Sequence, residues 1–113
     1  MVETKSITRF TENRALYLQM NMKYIEVVED IFNISGRGCV IVPGIPYSFE
    51  PNVKIGDQLE FHNPSGTIIK TTLRGVEMLN RGKPMEHVPF TVDRKVKKGD
   101  IEIGAKLYLV SDE

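Results

Sequence analysis

Adjacent acids Glu29 and Asp30 stand just before a turn that holds Arg37 between Gly36 and Gly38, so on a strand only one can face inward to brace the turn or pair with Arg37 while the other is solvated. Glu29, Asp30 and Phe32 precede a glycine-rich turn, Arg37 lies inside that turn, and Glu77 and His87 follow farther along. Carboxylates accept hydrogen bonds, an aromatic ring stacks on a flat group, and a guanidinium matches carboxylate or phosphate with a planar fork of donors. Catalytic sets are harder to assemble. The two histidines, His62 and His87, and the single cysteine, Cys39, satisfy no spacing rule for a metal site or a nucleophile with its base. The only Gly-Lys pair, Gly82-Lys83, is followed by Pro84 and lacks the earlier glycine of a phosphate loop. The chain is therefore expected to be a non-enzyme that uses no cofactor and no metal.

Global charge narrows the partners. Lys plus Arg and Asp plus Glu both number 15 in 113 residues, so nothing indicates a protein that wraps long stretches of nucleic-acid backbone. Any nucleic-acid contact is expected to be local. Cys39 precedes Val40 and Ile41, which reads as a buried thiol in a reducing compartment. The opening residues MVETKSITRFTENR lack the apolar run of a secretory signal, and no segment reaches the roughly 18 apolar residues of a membrane helix. A soluble, cytoplasmic protein with no membrane partner is the expectation.

The elements that must position these residues read as short strands. Residues 1-22 form an expected N-terminal arm or extra strand. Only Val2, Ile7 and Phe10 can anchor its first part, and Leu16, Leu18, Met20 and Met22 alternate with polar residues in its second. A helix competes over that second part, since Ala, Leu, Gln and Met favour it. Residues 23-113 form one domain. Tyr24 to Ile34 reads as a strand, Gly36 and Gly38 as a tight turn, and Cys39 to Val42 as the next strand. Pro43, Gly44, Pro46 and Pro51 argue for a loop, because proline removes ladder donors. Strands resume at Gln58 to His62, Thr67 to Leu79, His87 to Val92 and Ala105 to Val110, with Gly75 marking a bulge or bend inside the second of these. Six or seven short strands separated by turn signals indicate an all-β fold, a small closed β-barrel.

Four motifs in order, VEDIFNISGRGCVI, VKIGDQLEF, TTLRGVEML and VKKGDIEIGAKLYLV, give the stretch from Tyr24 to Val110 a family likeness. It resembles the second domain of elongation factor Tu and its relatives among the translational GTPases. The resemblance implies a six-stranded β-barrel, and it implies roles. Glu29, Asp30 and Phe32 would line a pocket for the aminoacyl group of charged tRNA. Arg37 would lie on the surface that faces a GTPase domain, and Glu77, in the GVEM motif, against the terminal adenosine. His87 takes the place of an asparagine that the relatives offer to the aminoacyl pocket. Cys39-Val40-Ile41-Val42-Pro43-Gly44-Ile45 departs from the relatives, which follow the turn with an apolar pair, threonine, glycine and arginine.

Two functions from different classes follow. The first is a binding module for the translation machinery: a translation factor, a ribosomal component or a tRNA acceptor end. The second is an interaction or self-assembly barrel in which the N-terminal arm adds a strand to an edge of its own or another subunit. A ligand in the barrel mouth with His62 or His87 as polar handle ranks below both. Arg37, Arg74, Arg81 and Lys83 read as ordinary solvated charge rather than a basic rim. Lys95, Lys97 and Lys98 read as offset by Asp93, Asp100 and Glu102.

Overall fold

The computed structural model describes residues 20–77 and 86–112. The first part of the N-terminal arm, including Leu16 and Leu18, lies outside the described residues, as do Arg81 and Lys83. Among the described residues there are seven strands: β1 (Met20–Val27), β2 (Asp30–Ile34), β3 (Gly38–Pro46), β4 (Gln58–His62), β5 (Ile68–Val76), β6 (His87–Val92) and β7 (Lys106–Asp112). One 3-10 turn, Lys98–Asp100, precedes β7. No described helix is long and apolar enough to cross a membrane.

All neighbouring strands pair antiparallel in the order β1-β7-β4-β5-β6-β3-β2. The all-β expectation holds. The closed six-stranded barrel does not: the described residues hold seven strands, and no ladder among them joins the end strands β1 and β2. The extra strand arises inside Tyr24 to Ile34, expected as one element. Val28 N–H donates to the Ala105 carbonyl at 2.8 Å, and Gly104 N–H donates to the Val28 carbonyl at 2.8 Å. One residue later, Glu29 N–H donates to the Val42 carbonyl at 2.9 Å. The chain leaves the β7 side and joins β3 within two residues, with Val28 buried at the crossing. One alternating run thereby becomes the two ends of the sheet.

The second correction concerns proline. β3 runs through Pro43 to Pro46, where a loop was expected. Pairing with β2 ends at Val42, and pairing with β6 skips from Ile41 to Ile45, so the missing Pro43 donor falls where neither ladder needs it. Gly44 makes the skip possible. Its φ is +98°, and a Cβ there would lie 2.0 Å from the Val88 carbonyl oxygen. Only a residue without a side chain fits. Gly75, expected at a bulge, lies at a register shift between Leu73 and Gly75.

One hydrophobic cluster joins the two halves of the sheet. Leu59 and Phe61 of β4 and Leu107 and Leu109 of β7 meet Ile31, Ile41, Phe90 and Val92 of the other half. The Phe61 and Phe90 rings stack at 6.5 Å across that interface. Val28, Val96, Ile101 and Ala105, all on connectors, complete the core. Cys39 is buried there, its thiol within 3.7 Å of the Val96 carbonyl, and burial pushes its pKa up. That environment makes an unreactive thiol.

Side chains tie β1 to the other half. Lys23 donates to the Glu50 carbonyl and lies 5.0 Å from the Phe49 ring centre. Glu26 Oε2 meets His87 Nε2 at 2.8 Å, linking β1 to the start of β6. The hydrogen bond from His87 is the largest influence holding the Glu26 carboxyl below its ordinary value.

Candidate functional site

The site is built on the hairpin of β2 and β3. Arg37 N–H closes the turn on the Ile34 carbonyl at 2.9 Å, and Gly36 supplies a φ of +82° that side chains disfavour. Arg94 fixes the same turn from outside by donating from Nη2 to the Gly36 carbonyl at 2.6 Å. Arg37 is thus presented on a braced corner.

Strand register sets what lies beside it. Phe32 pairs with Val40, Val40 with Thr91, and Thr91 with Gly75, so these four form a row across β2, β3, β6 and β5. Val40 alternates with the core residues Cys39 and Ile41 and therefore faces outward. Yet Val40 is 0 % exposed and Thr91 4 %. Beyond Val76, Glu77 extends β5 by donating its N–H to the Pro89 carbonyl at 2.8 Å. Its carboxylate accepts from the Arg37 guanidinium, Oε1 to Nη1. This ion pair reaches from the turn to the end of β5, past strands β3 and β6.

The geometry reassigns the partners expected from sequence. The acid that takes Arg37 is Glu77, 40 residues away, and not Glu29 or Asp30. Both of those are exposed, and Asp30 Oδ1 accepts from the Ile31 N–H at 2.8 Å. The reason is directional: neighbouring residues on a strand point to opposite faces, and the turn aims Arg37 toward β5. Glu77 is largely buried, being only 9 % exposed. Phe32 lies in the row of Val40 and Thr91 and stays exposed. His87 stands apart, paired with Glu26 and opposite Pro46 in register. Arg37 and Glu77 are brought together and Phe32 faces the same side of the sheet by register, while Glu29, Asp30 and His87 are not joined to the pair by any contact among the described residues.

Sequence reasoning passed over several participants. Thr91 and Val40 are buried on the outward side of the sheet, on the two strands between the Arg37 hairpin and β5, and only strand pairing reveals them. Glu60 is buried at 8 % exposure and meets His62 Nε2 at 2.9 Å, a pair detectable from two polar residues spaced two apart on one strand. His62 also lies 4.6 Å from the Tyr108 ring, which meets Tyr24 edge-on at 5.8 Å.

Chemically, the Arg37–Glu77 surface can present donors, one carboxylate and an exposed ring to a flat, polar group. Among the described residues no three His, Cys, Asp or Glu side chains gather as a metal site. No protein-family model matches this chain.

Proposed function

We propose that this chain is a non-catalytic binding module whose β2–β3 turn and Glu77 form one contact face for the translation machinery. The sequence resemblance to the second domain of elongation factor Tu supports this reading, as does an all-β sheet of short antiparallel strands. The observation that carries the reading is the Arg37–Glu77 ion pair. It joins the GRG and GVEM motifs, the two most specific parts of the resemblance, which are remote in sequence. On that face Phe32 offers a ring for a base or aminoacyl group, and Glu77 keeps a second carboxylate oxygen for a ribose hydroxyl. Recognition would be by stacking and local hydrogen bonds rather than charge neutralisation along a backbone. Tyr24 to Val110 contains no phosphate loop, so the module acts by contact and not by hydrolysis.

Titration with aminoacyl-tRNA and with purified translation factors tests this. Binding to one of them should weaken at least tenfold in Glu77→Ala and Arg37→Ala. Absence of binding to both partner classes would overturn it.

A second reading is favoured by β1, the end strand of the sheet among the described residues, which contains Met20 and Met22 of the arm. An end strand exposes unpaired backbone donors and acceptors, which suits strand addition from another subunit. Gel filtration of a chain lacking residues 1 to 21 separates the two. Identical monomeric elution of both forms removes the assembly reading and leaves the first intact.

A further inference from the structure

We propose that a groove between the β2–β3 turn and the connector before β7 binds a phosphate group. The groove encloses about 330 Å³, and Arg94, Lys97, Lys98, Ser35 and the Gly36 and Gly38 backbone line it. No acid is among its lining residues. Three cations around one concavity attract an anion, and phosphate is one that both guanidinium and ammonium groups bind.

The acids nearby in sequence do not neutralise these cations in the way that their spacing suggests. Asp93 Oδ1 accepts from the Lys95 N–H at 2.8 Å, and Asp100 Oδ2 accepts from the Lys97 N–H at 2.8 Å. Glu102 accepts from the Ser65 hydroxyl at 2.6 Å and the Ser65 N–H at 3.2 Å. Each carboxylate is spent on shaping backbone. Among the described residues, Arg94, Lys95, Lys97 and Lys98 have no carboxylate within salt-bridge distance.

The connector is also held rigid, so the cations do not have to be gathered on binding. Buried Asn63 donates to the Asp100 carbonyl and accepts from the Glu102 N–H, both at 2.9 Å. Arg94 is anchored on Gly36, which fixes one wall against the other. Preorganisation of this kind removes part of the ordering cost of binding. The site lies outside the Arg37–Glu77 pair and does not depend on the function proposed for that face.

The phosphate can come from a small phosphorylated ligand or from the backbone of RNA, and the two probes distinguish these. Isotope-labelled protein is titrated with inorganic pyrophosphate and, separately, with a six-nucleotide single-stranded RNA, each against sodium chloride of equal ionic strength. Amide signals of Gly36, Gly38, Lys97 and Lys98 should shift and saturate with at least one probe. Response to pyrophosphate alone assigns a small ligand; response to RNA assigns a nucleic-acid backbone. In the Lys97→Glu/Lys98→Glu variant the affinity should fall at least tenfold, and in Lys97→Gln/Lys98→Gln by a smaller factor, with the remaining spectrum unchanged. Shifts no larger than those with sodium chloride, or affinity unaltered by charge reversal, would overturn the proposal.

Discussion

Two buried carboxylates face outward from this sheet, and they are neutralised in opposite ways. Glu60 meets His62, two residues along the same strand, so its partner arrives with the strand itself. Glu77 meets Arg37, which comes from a turn at the far side of β3 and β6. A carboxylate removed from water needs a counter-charge or hydrogen bonds in either setting. The local pair discharges that need without constraining the fold. The remote pair makes the position of the turn a condition for burying Glu77, and so couples the turn to the packing of four strands.

Both pairs rest on the same frame, and breaking the frame should have the largest effect. Gly44→Ala places a methyl against the Val88 backbone at 2.0 Å and in a positive-φ conformation. We expect a loss of at least about 3 kcal/mol, from overpacking against backbone plus the left-handed penalty. Chemical denaturation would measure it, and a loss below about 1 kcal/mol would show that the β3 skip is not rigid.

Arg37→Ala should come next, at about 1 to 2 kcal/mol. A hydrogen bond to a charged group is worth about 1.5 to 3 kcal/mol, reduced here because Arg37 is 61 % exposed. The double variant Arg37→Ala/Glu77→Gln should recover part of that loss, since no unpaired charge then remains buried. Strict additivity would mean the two residues are not coupled and would erase the contrast with Glu60.

His87→Ala should lose about 1 kcal/mol at neutral pH and should change the acid limb. Glu26 has a folded-state pKa below its unfolded value, so its contribution is present above the ordinary carboxylate range and lost as pH falls through the lowered value. Without His87 that contribution shrinks. The stability difference between wild type and variant should therefore be full above about pH 5 and should close on further acidification. A difference that grows on acidification contradicts the assignment.

The smallest effect, about 0.5 kcal/mol, is expected for His62→Ala. Lys70 lies opposite Glu60 in the ladder and can take over as counter-charge. A loss equal to that of Arg37→Ala would show that local and remote pairs are equivalent after all.

Several elements were legible in the chain because their cause is local. Alternation from Gln58 to His62 and His87 to Val92, the glycine turn before Cys39 and the irregularity at Gly75 all follow from side-chain period and backbone freedom. Pro43 to Pro46 misled, because a proline's fit to a strand depends on whether a neighbour requires its missing N–H, and that is a property of pairing. The split at Val28-Glu29 was hidden for a similar reason: nothing in an alternating run says where the backbone changes partners. Of the site, Arg37 and Glu77 were recognisable as residues, but their contact was not.

By itself, the sequence determined an all-β chain of short strands and a glycine corner that displays an arginine. Those properties follow from forces between residues close in the chain. Tertiary structure alone decided that seven strands lie in one open ladder order, and that Glu77 rather than Glu29 or Asp30 answers Arg37. It also decided that the cations of the final connector face a groove while its acids turn to backbone amides. Long-range pairing sets which side chains share a face, and no local rule encodes that register.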